Sequence, residues 1–329
     1  MGNSKFWKLI KFPIHFFYSG ERFLSTGTRR LLSDYQEQAV AVSYTDARPM
    51  LICMFDGKMP HGGLADRLQG MVSIFMYAKG HGMDFRIYHT YPFPLSSFLS
   101  PNLYDWQIDE RDICYNRSIS KPVWVTFSDN YFEKTFCLRY LRKQLKEHKQ
   151  YHIYPALKIA DRCFSGLYNE LFKPSVHLEQ ELAKTLNAIG GKYITMSFRF
   201  VELLGDFKDC LHTTLSSKGC EELINRCLAA IPVVAKVATP HKKIVVTSDS
   251  VTFLRRATNL HNVFIIPGSI GHIDYQEDEK VHLKTFLDFY VIAHAEEVYM
   301  MRTKIMYRSG YAKCAAMVYG KPFKEFVIK

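Results

Sequence analysis

One stretch of this sequence has the residue types of a ligand-binding corner. The stretch from His61 to Arg67 reads His-Gly-Gly-Leu-Ala-Asp-Arg, and it follows Met50 to Phe55, an apolar run typical of a strand buried on both faces. Apolar residues at helical spacing come next and end at Gly80, which predicts a helix. Two adjacent glycines, Gly62 and Gly63, allow positive φ and a close backbone approach, and a helix start presents unpaired N–H groups. The corner is a candidate site for an anion or a sugar, although such corners also occur in α/β proteins without a ligand.

A second candidate is Arg199, which directly follows the predicted strand Tyr193 to Phe198. Ligands of open α/β sheets bind beyond the carboxyl ends of the strands. The planar guanidinium matches the oxygens of a diphosphate, and an arginine is costly to bury unpaired. Arg199 therefore indicates phosphate binding, and the alternative is a local ion pair with Glu202 or Asp206.

The same rule selects Ser248 and Asp249, which follow the predicted strand Ile244 to Thr247. A carboxylate at a strand end could accept hydrogen bonds from a ribose or from a guanine edge. It could equally cap the next helix, and capping is the better interpretation from these residues alone.

The third place is Ser309 to Tyr311, Ser-Gly-Tyr, at the start of a predicted helix rich in alanine. Ser309 is a favourable N-cap, and the N–H groups behind it would face a phosphate. The small residues indicate close helix packing, and both interpretations are compatible.

Apolar runs and helical periodicities alternate along the chain, which predicts an α/β protein with mainly parallel sheets. The predicted strands are 50–55, 85–89, 123–127, 151–154, 193–198, 244–247, 263–266 and 298–301. The predicted helices are 64–80, 132–149, 174–189, 220–228, 281–293 and one that opens at 309. Gly190 and Gly191 end the third helix, and we expect the domain boundary there.

Composition narrows the class of protein. The chain has 329 residues, 47% of them hydrophobic, which is enough for two domains, and its apolar runs are shorter than a membrane-spanning helix requires. Its eight cysteines form no Cys-x-x-Cys pair, which is typical of reduced thiols in a cytoplasmic protein. The net charge of +11 indicates an acidic partner, but no nucleic-acid-binding motif is present, so a nucleic acid is not expected.

The first 44 residues form a basic and aromatic N-terminal arm. Lysines and arginines alternate there with phenylalanines and Trp7, without the apolar core of a secretory signal. This pattern is typical of a segment that lies on an anionic membrane surface, and it predicts a cytoplasmic protein peripheral to the inner face of the membrane. Packing of the arm on its own domain is the alternative.

These motifs together resemble the fucosyltransferase superfamily that includes the nodulation, core α1,6 and protein O-fucosyltransferases. Its Gly-Gly-Leu-Gly-Asn-Arg-Leu corner is similar to the corner here, with Ala65 and Asp66 in place of glycine and asparagine. Its His-x-Arg motif stands here as Ser197-Phe198-Arg199. Some branches have a second arginine at the next position, where this sequence has Phe200. Its Ser-Asp or Thr-Asp strand end and its Ser-x-Phe helix start follow in the same order, and the resemblance spans roughly residues 50 to 323.

The resemblance implies a GT-B-like fold in which two Rossmann-like α/β domains face a cleft. The expected domains are an acceptor-side domain at 45–190, a nucleotide-sugar-binding domain at 191–307, and a C-terminal helix and tail at 308–329 that packs back across the cleft. It also implies that Arg199 binds the donor diphosphate, that Asp249 helps to hold the nucleoside, and that the helix start at Ser309 faces the phosphates. The same donor motifs include Ser197, Ser248, Gly310 and Tyr311. The acceptor-side corner consists of Gly62, Gly63 and Arg67.

The expected reaction is an inverting transfer of fucose from GDP-fucose to a glycan or a lipid-linked oligosaccharide. No Asp-x-Asp occurs in the chain, so a donor site without a metal or another cofactor is expected, with Arg199 and a helix start meeting the charge of the diphosphate. Asp66 and His61 are the candidate bases for the acceptor hydroxyl. The alternatives are a transferase for another nucleotide sugar and a non-catalytic basic protein that binds acidic glycan or membrane.

Overall fold

The structure, a computed structural model, describes residues 22–36, 48–126, 131–207, 214–238, 243–271 and 278–329. The chain divides into two compact units. The first comprises 1–62, 66–91 and 103–163, and the second comprises 63–65, 92–102 and 164–329. Most of the N-terminal arm lies outside the described residues, and its membrane role stays a prediction.

Strands and helices alternate, as expected. The strands are β1 Met50–Phe55, β2 Asp84–His89, β3 Leu99–Pro101, β4 Ser120–Thr126, β5 Gln150–Ala156, β6 Phe172–Pro174, β7 Tyr193–Phe198, β8 Lys243–Ser248, β9 Val263–Ile265, β10 Glu297–Arg302 and β11 Phe323–Val327. The helices are α1 at 22–31, α2 Leu64–Gly80, α3 Tyr131–Gln144, α4 Phe164–Leu171, α5 Val176–Ile189, α6 Ser217–Ala238, α7 Val251–Ala257, α8 Glu279–His294 and α9 Tyr311–Val318.

The first unit is built on a parallel sheet with the strand order β2-β1-β5-β4. The central strand β1 is buried along nearly its whole length, which confirms the prediction of a strand covered on both faces. Because all strands run in the same direction, the residues that follow β1, β2 and β5 lie at one edge of this sheet.

The second unit contains a parallel sheet of five strands in the order β11-β10-β7-β8-β9. From β7 the chain proceeds through β8 to β9, and it then returns to the other side of β7 to form β10 and β11. The order of the strands therefore reverses between β7 and β10. Ligands of open parallel sheets bind at such a reversal, outside the carboxyl ends of the strands.

The units do not follow the predicted domain ranges. We expected a boundary at Gly190, whereas residues 164–190 group with the second unit because α5 packs on α8 and β6 pairs with β3. The C-terminal segment supplies α9 and the edge strand β11 of the second sheet, and its packing back across a cleft stays a prediction. Helix α6 continues through Pro232, well past the predicted end at 228.

The described part of the chain contains no helix that is both long enough and apolar enough to cross a bilayer.

Candidate functional site

The clearest ligand-binding geometry lies at the reversal in the second sheet, where Arg199 follows β7. Its Nη1 lies 3.3 Å from Oδ2 of Asp249, and its guanidinium carbon lies 4.5 Å from the centre of the Phe207 ring. A carboxylate and an aromatic face thus hold the guanidinium in place, and each contact is favourable for a cation. The side chain remains 28% exposed, so the positive charge is fixed in position and still reaches solvent.

Asp249 is the group that organises this loop. It follows β8, its side chain is nearly fully buried, and its two oxygens accept N–H bonds from Phe200 at 2.8 Å and Val201 at 2.7 Å. Burial raises the pKa of this carboxyl, against the opposing effects of Arg199 and the two amides. The backbone of Val201 has φ of 55°, which a β-branched residue rarely adopts. Asp249 therefore holds the Arg199 loop in an unusual conformation.

The capping role that we considered for Asp249 belongs to its neighbour Ser250. The Ser250 Oγ accepts the N–H of Phe253 at 3.1 Å at the start of α7 and donates to Asp206 at 2.8 Å. Asp206 also accepts the N–H of Thr252 at 2.8 Å, so both of its described contacts stabilise the start of α7.

Two of the three serines of the predicted donor motifs, Ser197 and Ser248, form hydrogen bonds within the protein. Ser197 Oγ and Thr247 Oγ1 lie 2.8 Å apart and link β7 to β8. Ser248 Oγ accepts the N–H of Ser250 at 3.1 Å. Phe200, where some branches of the superfamily have a second arginine, is buried and its ring centre lies 5.0 Å from that of Phe253. This position supplies core packing in place of a second cation.

The start of α9 lies beyond β10, on the other side of the reversal. Gly310 is the N-cap and provides no side-chain cap, while Ser309 Oγ accepts the N–H of Tyr311 at 3.2 Å. The Tyr311 hydroxyl donates to the carbonyl of Thr285 in α8, and burial raises its pKa. The Tyr311 hydroxyl therefore anchors α9 to α8. The N–H groups in the first turn of α9 have no acceptor within the helix, and such groups are suited to binding an anion.

In the first unit, the corner after β1 has one glycine with a special conformation. Gly62 has φ of 70°, and a Cβ added to it would lie 2.9 Å from Oδ2 of Asp66. Gly63 is outside the positive-φ region, and a Cβ there would meet no atom within 4 Å. Asp66 is partly exposed, and its Oδ1 lies 2.9 Å from Nζ of Lys158, which follows β5. Of the two glycines that allow positive φ, only Gly62 adopts it.

Arg67 is a structural residue of this corner. Its side chain is almost fully buried and donates to the carbonyls of Gly62 at 3.0 Å and Tyr91 at 2.7 Å. Its Nη1 lies 3.3 Å from Nε2 of His89, and the guanidinium lies over the ring of Phe55. Arg67 joins the end of β1 to the end of β2.

His61 is held as a neutral imidazole. Its Nε2 accepts the N–H of Gly57 at 3.3 Å, and its ring packs against Phe55 and stacks over Tyr154. Burial and the nearby charge of Arg67 lower its pKa to about 3. A ring that is neutral and already accepts a hydrogen bond at Nε2 is a weak proton acceptor, so the geometry favours Asp66 over His61 as the candidate base.

Sequence reasoning missed a polar pair at the same edge. Tyr154, on β5, donates its hydroxyl to Asp56 Oδ2 at 2.9 Å, and Asp56 directly follows β1. Burial and the charge of Asp56 raise the pKa of Tyr154. The rule that singled out Asp249 at the end of β8 would also have found Asp56. No sequence signal indicates its pairing with Tyr154, or that of Lys158 with Asp66.

Within the described ranges, no group of three or more His, Cys, Asp and Glu side chains is arranged to hold a metal ion. The expectation of a donor site without a metal stays a prediction.

Known structures share this fold. NodZ, a fucosyltransferase from Bradyrhizobium, matches with a TM-score of 0.58 and 15% identity over 86% of this chain and 96% of its own. FUT1 from Arabidopsis thaliana, in complex with GDP, matches with a TM-score of 0.54 and 10% identity over 92% of this chain and 74% of its own. POFUT1 in complex with GDP matches with a TM-score of 0.51 and 10% identity over 86% of this chain and 99% of its own. No family model and no curated protein matches the sequence.

The resemblance to the fucosyltransferases is therefore confirmed at the level of the fold, as is the α/β class with mainly parallel sheets. Within the second unit, the structure brings Arg199 and Asp249 into direct contact. Within the first unit, it places His61 and Arg67 among the buried residues and Asp66 at the surface.

Proposed function

We propose that this protein is a glycosyltransferase that moves fucose from GDP-fucose to a hydroxyl of a glycan or a lipid-linked oligosaccharide, with inversion. The observation that carries the proposal is the reversal between β7 and β10, where Asp249 fixes the partly exposed Arg199. The fold is similar to that of NodZ, whose α-1,6-fucosyltransferase structure was also solved after soaking with GDP-fucose.

The second unit contains a cation and N–H donors that could bind the phosphates of a nucleoside diphosphate. Arg199 presents a planar cation with several donors, and its contacts with Asp249 and Phe207 restrict its motion before a ligand arrives. The first turn of α9 adds N–H groups at the same edge of the sheet. Such a preorganised set stabilises the charge that develops on the leaving diphosphate without a metal.

The chemical step then needs one proton acceptor. The acceptor hydroxyl oxygen forms a bond to C1 of the sugar, the bond from C1 to the diphosphate oxygen breaks, and its electron pair leaves with GDP. The hydroxyl proton passes to a carboxylate, and Asp66 is the candidate because it is partly exposed in the first turn of α2. With Asp66 replaced by Asn, we expect transfer to be lost while GDP binding persists, and full transfer activity would remove Asp66 from this role.

Calorimetric titration of GDP, UDP and GDP-fucose in the presence of a chelator tests the proposal. We expect GDP to bind more tightly than UDP, and Arg199→Ala to weaken GDP binding by about tenfold or more, since a charge-assisted hydrogen bond contributes about 1.5–3 kcal/mol. Arg255→Ala is the matched control, because Arg255 is an exposed arginine of α7 in the same unit.

The other outcomes distinguish the alternatives. Preference for UDP would indicate a transferase for another nucleotide sugar. The absence of nucleotide binding by the folded protein, together with salt-sensitive binding of polyanions, would replace the transferase with a non-catalytic basic protein.

A further inference from the structure

A cavity in the second unit is lined by none of the candidate donor-binding residues. It has a volume of about 630 Å³ and lies where α6, the segment after β10 and the end of β11 meet. Its lining residues are Arg226, Thr303, Lys304, Ile305, Val327, Ile328 and Lys329. The mixture of cationic and aliphatic side chains indicates a ligand with both an anionic and an apolar part.

The cavity keeps its positive charge. Among the described residues, neither Arg226 nor Lys304 has a carboxylate partner. The acidic residue of β11, Glu325, is already bound by Arg302 at 2.6 Å and by Arg308 at 2.8 Å. The nearest acidic side chain on this strand therefore does not neutralise the two cations.

A buried hydroxyl at the cavity is left without a partner. Thr303 is only 2% exposed, and its Oγ1 has no hydrogen-bond partner among the described residues. Burying an unpaired hydroxyl costs about 1–3 kcal/mol, and such groups are rare in native proteins. An anion in the cavity would supply the missing acceptor.

Exposed aliphatic side chains occur in the cavity lining and farther along α6. Ile305 is 52% exposed and Val327 is 42% exposed. Along α6, Val233 and Val237 follow Arg226 at helical spacing, and Val237 is 85% exposed. Lys236 lies on the same exposed side of the helix. We define the α6 surface as Arg226, Val233, Val237, Lys304, Ile305 and Val327.

We propose that the α6 surface docks on an anionic lipid bilayer, with a lipid phosphate in the cavity against Arg226, Lys304 and the Thr303 hydroxyl. The exposed aliphatic side chains enter the interface between headgroups and acyl chains, and the cations pair with the headgroups. The apolar residues project singly from a helix and two chain segments, which suits a bilayer because it requires no complementary shape. This inference is independent of the nucleotide specificity of the proposed transferase.

The test is sedimentation of the full chain with vesicles of phosphatidylglycerol or of phosphatidylcholine at physiological salt. We expect binding only to phosphatidylglycerol, and a decrease of about 25-fold for the double variant Arg226→Gln with Lys304→Gln, since each cation near such a surface contributes about fivefold. The pair Ile305→Ser with Val237→Ser should also weaken binding. The matched control is Lys173→Gln with Val176→Ser, which removes one exposed cation and one exposed valine that do not line the cavity.

Hydrogen exchange separates this surface from the N-terminal arm. Phosphatidylglycerol vesicles should slow exchange at the amides of residues 304–308, and the circular dichroism spectrum and unfolding midpoint should be the same in every variant, which shows that each is folded. Unchanged vesicle binding by both double variants, or vesicle binding without slower exchange at 304–308, would overturn the proposal. Binding to soluble polyglutamate without binding to vesicles would also overturn it and would indicate an acidic protein partner.

Discussion

The two arginines of the candidate sites differ in their surroundings. Arg67 lies in the first turn of α2, and Arg199 directly follows β7. Arg67 is buried and donates to two carbonyls in the first unit, whereas Arg199 is partly exposed and lies between a carboxylate and an aromatic ring in the second. The carbonyl oxygens of Gly62 and Tyr91 accept hydrogen bonds from the Arg67 guanidinium inside the protein. Part of the Arg199 side chain reaches solvent instead. Arg67 therefore holds the fold together, and Arg199 is the arginine for which we propose ligand binding.

Replacement of Arg67 by Met should have the largest effect on stability. It leaves the carbonyls of Gly62 and Tyr91 without their donor in a buried site, and we expect a loss of about 3–5 kcal/mol. Urea unfolding followed by circular dichroism measures this loss. Arg199→Met is the comparison and should cost less, about 1–2 kcal/mol, because Arg199 is partly exposed and the buried Asp249 carboxylate keeps its two N–H donors. Similar losses for both variants would refute the distinction between the two arginines.

Asp249→Asn should affect ligand binding more than folding. An amide nitrogen in place of one oxygen cannot accept the N–H of Phe200 or Val201 and does not attract Arg199, so the arginine loses its position. We expect GDP-fucose to bind about tenfold more weakly, which corresponds to about 1.4 kcal/mol. If Asp249 instead contacts the nucleoside directly, guanosine alone should lose as much affinity as GDP-fucose, and calorimetry with both ligands decides.

The pH dependence of GDP-fucose binding also tests whether Asp249 positions Arg199. Burial raises the pKa of Asp249, so the protonated form favours the folded chain. The stabilisation of the folded chain by this proton is complete below the unfolded-state pKa. It is lost as the pH rises through the folded-state pKa. Donor binding needs the ionised form, which orients Arg199. GDP-fucose affinity should therefore fall as the pH decreases towards the raised pKa. GDP-fucose is the suitable probe because its diphosphate is esterified at both ends, and Asp249→Asn should abolish this pH dependence.

The two glycines of the corner provide a smaller contrast. Gly62→Ala places a Cβ at positive φ and 2.9 Å from the Asp66 carboxylate, and we expect a loss of about 1–2 kcal/mol. Gly63→Ala should change stability by less than about 0.5 kcal/mol because the added Cβ meets no neighbour. Denaturant midpoints of the two variants check this, and equal losses would contradict the assignment of the turn to Gly62.

Breaking the ion pair of Asp66 should have the smallest effect. Lys158→Gln removes a partly exposed pair and should cost less than about 1 kcal/mol, as measured by the denaturation midpoint. A loss of several kcal/mol would show that Lys158 holds the corner together, as Arg67 does.

Much of the fold follows from local pattern. The apolar runs identify β1, β7, β8 and β10, because strands of a parallel sheet are covered on both faces. Strand β11 was missed because Lys324 and Glu325 interrupt its apolar pattern at the edge of the sheet. The end of α6 was missed because Pro232 usually ends a helix, whereas here it lies on an exposed face within one.

The candidate site could be located from sequence, but its internal bonds could not. Arg199 and Asp249 are each indicated by their positions after strands, yet they are fifty residues apart, and only the pairing of β7 with β8 makes them neighbours. The burial of Arg67 depends on a carbonyl 24 residues away, which no local rule reveals. Long-range contacts of this kind decide which polar residues are structural and which are available to a ligand.

The conformation of Val201 has a mechanical consequence. A valine at φ of 55° stores about 1–3 kcal/mol of backbone strain, and the two bonds to Asp249 keep it there. The hydrogen bonds to Asp249 thus oppose a strain that the valine side chain creates. Val201→Gly would remove this strain, because glycine adopts positive φ without a steric penalty, so the two bonds would no longer have to oppose it.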